Sequence, residues 1–132
     1  MIDSTISDEN KIKVVLTAMT DEVEQGGSPI TSYSIEWDLG TGFAFTPVVG
    51  HDTNNVLLEY TFNSLTKGSV YRFRYRVRNL YGWSAYSDEV ERMAAMVPYT
   101  PVAPMTSNTQ TSVTVAWQLP YNGGAVIESF IL

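Results

Sequence analysis

Arg72, Arg74, Arg76 and Arg78 are the residues whose type and spacing most invite chemistry. On an extended strand, residues two apart share a face. The four guanidiniums would then line one side, opposite Tyr71, Phe73, Tyr75 and Val77. Like charges in a row repel unless they are neutralised. Surface carboxylate partners would contribute about 0–1 kcal/mol each, and aromatic rings stacked on the guanidiniums about 0.5–2 kcal/mol each. A second candidate is the acidic loop holding Asp21, Glu22 and Glu24. Its oxygens suit calcium, but the spacing fits no EF-hand, so a solvated loop is expected. A third is His51-Asp52, an acid–base pair with no nucleophile in its motif. His51 is the sole histidine and there is no cysteine. That combination excludes a multi-histidine metal site within one chain, a thiol nucleophile, disulfides and a cysteine-ligated zinc or iron–sulfur cluster. No Gly-x-Ser-x-Gly elbow, phosphate loop or dinucleotide fingerprint is present. No catalytic residue, cofactor or metal is expected, and the protein is read as non-enzymatic.

The 132 residues are 44% hydrophobic and 17% charged, a globular composition. Eight Lys and Arg against 14 Asp and Glu leave a net charge of −6. A phosphate-binding surface needs a positive field, so nucleic acid is not an expected partner. No stretch approaches the roughly 20 apolar residues of a membrane helix, so no membrane insertion is expected. The acidic start, Met1-Ile-Asp-Ser-Thr-Ile-Ser-Asp-Glu-Asn, is unlike a signal peptide. No Asn-x-Ser/Thr sequon occurs, which mildly disfavours a heavily glycosylated ectodomain.

The elements that must position these residues are strands. Apolar residues alternate at Ile12, Val14 and Leu16, and at Tyr33, Ile35 and Trp37. They do so again at Val56, Leu58, Tyr60 and Phe62, along the arginine segment, and at Val113, Val115 and Trp117. Period two is the strand signature, and no window shows a helical period. Turn residues punctuate the runs, as in Gln25-Gly26-Gly27-Ser28-Pro29 and Lys67-Gly68-Ser69. Short strands with regular turns predict an all-β sandwich, each sheet with one buried face.

The chain also repeats itself. Gly26-Gly27-x-x-Ile30-x-Ser32-Tyr33 recurs as Gly123-Gly124-x-x-Ile127-x-Ser129-Phe130, an offset of 97. Ile12-x-Val14-x-Leu16 recurs as Val113-x-Val115-x-Trp117, an offset of 101. The segment Met96-Val-Pro98-Tyr-Thr-Pro101-Val-Ala-Pro104 between the copies is an extended, semi-stiff linker.

Leu65-x-x-Gly68-x-x-Tyr71-x-Phe73-x-Tyr75-x-Val77-x-Asn79-x-x-Gly82-x-Ser84-x-x-Ser87 resembles the strand E–F–G signature of fibronectin type III domains. Gly26-Gly27-x-Pro29-Ile30-x-x-Tyr33-x-Ile35 resembles that family's B–C loop and strand C, and Pro101-x-x-Pro104 through Trp117-x-x-Pro120 its first strands. The first copy departs from the pattern in having Leu16 at the usual strand-B tryptophan, and in lacking the opening prolines. The resemblance implies an immunoglobulin-like sandwich of seven strands over residues 1–96, a proline-rich linker over 97–104, and the first three strands of a second domain over 105–132.

In the resembled fold strand F lies between strands C and G. That would set the arginines against Glu36 and Asp38 on one side and Asp88, Glu89 and Glu91 on the other. Trp83-Ser84-Ala85-Tyr86-Ser87 resembles the Trp-Ser-x-Trp-Ser box of class I cytokine receptors, whose aromatics interleave with strand-F arginines. Trp83 and Tyr86 are therefore expected to stack on Arg74 and Arg76, as a structural ladder or, alternatively, an interaction face. A tyrosine corner would join the Tyr71 hydroxyl to backbone near Leu65. The Arg-Gly-Asp tripeptide of some adhesive members is absent.

The resemblance implies a spacer or protein-binding module in a larger multi-domain surface, matrix or scaffold protein. The alternatives are an accessory domain of a larger secreted enzyme, such as a polysaccharide hydrolase, and an intracellular cytoskeletal or ciliary scaffold module. The expected partners are proteins or neighbouring domains of the same chain. Strand-swapped self-association through 105–132 is a minority expectation. An extracellular or cell-surface setting is preferred to an intracellular one.

Overall fold

The computed structural model describes residues 2–131. It holds ten strands and, among the described residues, no helix. They are β1 (Ile2–Ser7), β2 (Ile12–Leu16), β3 (Ser32–Trp37), β4 (Thr46–Val49), β5 (Glu59–Phe62), β6 (Val70–Asn79), β7 (Gly82–Trp83), β8 (Val90–Met93), β9 (Met105–Asn108) and β10 (Val113–Ala116). One sheet has the order β1-β2-β5. The other runs β4-β3-β6, with β7 and β8 both pairing with β6. Every pairing is antiparallel.

The core forms where the inward residues of the two sheets meet. Ile12, Val14 and Leu16 of β2 and Phe62 of β5 are buried against Tyr33 and Ile35 of β3 and Phe73, Tyr75 and Val77 of β6. Aromatic rings span the gap: Phe62 lies 4.8 Å from both Trp37 and Phe73. The alternation expected from sequence holds in β2 and β6, whose burial switches at every residue.

β3 departs from that alternation. Ser32, Tyr33, Ser34, Ile35 and Glu36 are all buried, because the outer face of this sheet is covered as well. A second departure is the run from Val56 to Phe62, of which only Glu59–Phe62 is strand. Val56 and Leu57 are exposed. The reason is a pin just upstream: the Tyr33 amide donates to Asn55 O at 2.7 Å and the Asn55 amide to Ser32 Oγ at 2.9 Å. By Leu58, whose carbonyl accepts from the Leu16 amide, the chain has reached the opposite sheet. β4 escaped the period-two pattern because Pro47 interrupts it, and proline is tolerated on an edge strand such as this one.

Beyond β8, β9 and β10 form a separate two-stranded hairpin. The third strand expected over 127–132 does not appear at 127–131, and Leu132 lies outside the described residues. A strand needs a neighbour for its backbone groups. β3 has one in β6, and among the described residues nothing pairs in that way with 127–131.

Candidate functional site: an arginine–aromatic ladder

The candidate site is the outer face of the larger sheet, and its geometry begins with register. β3 sets Glu36 opposite Arg74, Ser34 opposite Arg76 and Ser32 opposite Arg78. Of these three arginines, only Arg74 meets a carboxylate directly across. Glu36 accepts from Arg74 Nε at 3.0 Å and Nη2 at 2.8 Å on one oxygen, and from the Tyr86 hydroxyl at 2.7 Å on the other. Burial, then this hydrogen bond to Glu36, raises the Tyr86 hydroxyl above its ordinary pKa, so the ring stays a donor.

Asp38, just past β3, holds Arg72. Its carboxylate accepts the backbone amides of Gly40, Gly42 and Arg72 and the Arg72 Nε, at 2.9–3.1 Å. Arg72 also donates to Glu89 at 3.0 Å and to the Phe43 carbonyl at 3.0 Å. Among the expected carboxylates, Glu36, Asp38 and Glu89 form ion pairs with the row.

Arg76 faces Ser34 instead of a carboxylate, and rings take over. Its guanidinium lies 4.7 Å from the centroid of Trp83 and 4.7 Å from that of Tyr86. Arg74 lies 3.8 Å from Tyr86 and 4.2 Å from Phe45. Arg72 closes the Phe45 end at 5.1 Å and Arg78 the Trp83 end at 5.6 Å. Cation and ring thus alternate from Arg72 through Phe45, Arg74, Tyr86, Arg76 and Trp83 to Arg78. The spacing is inherent in the strand: residues two apart are about 6.8 Å distant, enough for one ring between successive guanidiniums. His51 lies beside this end, parallel to Trp83 at 6.0 Å, with Nδ1 2.8 Å from Asp52.

Trp83 and Tyr86 reach the ladder because the edge strand is interrupted. Between β7 and β8, Ser84 and Ser87 take over pairing with β6. Their amides donate to Val77 O and Tyr75 O, both at 2.8 Å. Their hydroxyls accept the Val77 and Tyr75 amides, both at 3.1 Å. A three-residue repeat, like that of a polyproline helix, turns both serines to β6 and both aromatics to the arginines. Replacing Ser84 and Ser87 together by alanine strands two amides of β6. A loss of about 2–4 kcal/mol is expected in urea unfolding, from about 1–2 kcal/mol per unsatisfied group. A loss below about 1 kcal/mol would show that the hydroxyls are dispensable.

Burial pushes the Asp38 carboxyl up, but its four hydrogen bonds outweigh that and hold its pKa below the ordinary aspartate value. A depressed folded-state pKa contributes stability above the unfolded value near 3.9 and loses it as pH falls through the lowered value. Unfolding midpoints should thus fall as pH drops below about 4, and more gently in Asp38→Asn. Parallel acid limbs in the two proteins would refute this.

Phe45 was not visible in the sequence as a ladder member. It stands alone in the loop between Gly42 and β4, with no periodicity around it. Its signal was arithmetical: four aligned cations call for three intervening rings, and the segment after β6 supplies only Trp83 and Tyr86. On the inner face of β6, next to Arg72, Tyr71 Oη accepts the Thr66 amide at 2.8 Å. Leu65, buried beside it, gives its own amide to the Asn10 carbonyl. Asp21 is turned inward to its own loop, where it accepts the Val23 amide at 2.7 Å. Among the described residues no three His, Cys, Asp or Glu come together as a metal site.

This two-sheet topology, with its split edge strand and the Tyr71 bond, is that of a fibronectin type III domain, and the chain contains one. No family model matches the chain. It is 32% identical over 110 residues to fibronectin type-III domain-containing protein 3a of Gallus gallus, a match covering 81% of this chain and 9% of that protein. The chain thus spans about a tenth of the length of the curated relatives it matches. Titin domains A168–A170 superpose with a TM-score of 0.56 at 21% identity, covering 71% of this chain and 30% of the other. The type III domain of human fibronectin type III domain containing protein 3 superposes with a TM-score of 0.51 at 22% identity, covering 70% and 80%. Domains of this type are in general non-catalytic structural and interaction modules of multi-domain proteins.

Proposed function

We propose that the chain is a non-catalytic spacer and protein-binding module of a larger multi-domain surface, matrix or scaffold protein. Residues 1–96 form its type III domain, 97–104 its linker, and 105–132 the start of a second. The observation that supports this most is the consumption of the arginine face. Arg72 and Arg74 are committed to Asp38, Glu89 and Glu36, and all four arginines lie over rings. The side chains best suited to grip a ligand instead stiffen the sheet, as a spacer requires. In this reading Arg72, Arg74, Arg76, Arg78, Trp83 and Tyr86 are structural.

A second reading, self-association through 105–132, draws on one observation. Met105, Val113, Trp117 and Leu119 on and beside the hairpin are exposed, and unpaired strand edges invite pairing. Sedimentation of the full chain against a chain ending at Met96 separates the two. Monomers at all concentrations fit the spacer. A reversible dimer of the longer chain alone makes assembly the function.

A further inference from the structure

The second copy does not hang free from its prolines. Its turn at 120–125 is seated on the end of the first domain. The Met96 amide donates to Gly123 O at 2.8 Å and the Tyr99 amide to Tyr121 O at 3.0 Å. Tyr121 packs edge-on to Tyr99 at 5.2 Å. Lys67 lies 4.2 Å over the Tyr121 ring and donates to its hydroxyl at 2.6 Å, and that hydroxyl donates onward to Glu9. Two segments of the first domain, at Glu9 and Lys67, and one of the linker, at Tyr99, thus converge on one side chain of the second copy. The Tyr121 hydrogen bond also holds the Lys67 ammonium above its ordinary pKa, against the opposing effect of desolvation.

The backbone contact is closer still. A Cβ on Gly123 would stand 2.2 Å from the Met96 carbonyl oxygen, and one on Gly68 2.9 Å from that of Gly124. Gly68 is itself bonded to the end of the edge strand, through its amide and Ala94 O at 2.8 Å. Gly123 is buried in a tail that is otherwise mostly exposed.

The internal repeat supplies a control. Gly26 and Gly27, the counterparts of Gly123 and Gly124, have the same left-handed backbone, φ 65° and 73° against 67° and 96°. Yet a Cβ on Gly27 would meet nothing within 4 Å, and one on Gly26 only a side-chain atom of Asn79 at 3.5 Å. The turn's own shape therefore does not account for the close packing at Gly123. The seat does. Tyr121 is likewise peculiar to the junction, since Glu24 stands at the matching position of the first copy.

We propose that residues 66–69 and 94–96 form a docking seat for the Tyr121-Asn122-Gly123-Gly124 turn of the following repeat, fixing the angle between successive modules. The inference rests on the tandem-module reading in treating 105–132 as a second repeat. Its functional content is that the module transmits orientation as well as distance.

The test is amide hydrogen exchange and ¹⁵N relaxation on the full 132-residue chain. In the native protein the Met96 and Tyr99 amides should be protected at least about tenfold, and 120–125 should tumble with the first domain. Gly123→Ala should abolish that protection and release 120–125, leaving the Phe73 and Val77 amides unchanged. Tyr121→Phe, which removes one hydroxyl, should weaken protection without adding bulk. Free exchange at Met96 and Tyr99 in the native chain, or no response to either variant, would overturn the seat. Self-association in sedimentation would overturn the spacer reading while leaving the exchange result interpretable, so the two fail separately.

Discussion

Replacing Glu36 by alanine is expected to destabilise the domain by about 3 kcal/mol, the low end of the 3–5 kcal/mol for breaking a buried ion pair. Glu36 is 3% exposed and accepts three hydrogen bonds, two from Arg74 and one from Tyr86. Without it the Arg74 guanidinium stays between Phe45 and Tyr86 with no counter-charge opposite, and the Tyr86 hydroxyl loses its acceptor. The low end applies because the Arg74 side chain is 26% exposed, so water recovers part of the loss. Glu36→Gln keeps one acceptor oxygen but removes the charge and turns the other oxygen into an NH2 donor, so its loss should be smaller than that of the alanine variant, by about half. Urea midpoints of the two variants, with near-ultraviolet circular dichroism reporting Tyr86 and Trp83, are the measurement. A loss under about 1 kcal/mol for the alanine variant would mean that the ladder is surface decoration.

Phe73→Ala should cost about 3–5 kcal/mol, a large share of the 5–15 kcal/mol that holds a typical domain together. Phe73 is fully buried, in the middle of β6, and its ring meets Phe62 of the opposite sheet at 4.8 Å. Both the transfer of the ring from water and the cavity left between the sheets count against the variant. The contact is one layer away from the ladder, on the other face of the same strand, and the two losses should be nearly additive if the faces act independently. A double variant, Phe73→Leu with Glu36→Gln, is mild enough to test that by calorimetry. A Phe73→Ala loss under about 1.5 kcal/mol would contradict a core shared by both sheets.

Much of this architecture is legible in the amino-acid sequence. β2 and β6 lie where alternation placed them, since side-chain facing along a strand is local and needs no partner to be read. The same locality put the four arginines on one face. Trp83 and Tyr86 were legible through the resemblance of their segment to the Trp-Ser-x-Trp-Ser box, whereas the pairing of Ser84 and Ser87 with β6 came from the structure alone.

Contacts between residues distant in sequence were decided by the tertiary structure alone. Periodicity in β3 predicts one wet face, but arginine and aromatic side chains from other elements cover it and bury Ser34 and Glu36. Register, a property of two strands together, gives Arg74 a carboxylate and leaves Arg76 to Trp83 and Tyr86. Phe45 joins from a loop with no pattern of its own. Residues 127–131 have the composition of a strand, but a strand is completed by its neighbour's hydrogen bonds and none is paired there. Glu9 and Tyr121, 112 positions apart, meet because the turn after β10 comes back beside Lys67 and Met96. Alternation along one strand is set by local sterics, whereas which strand, ring or turn lies opposite is set by the packing of the whole chain.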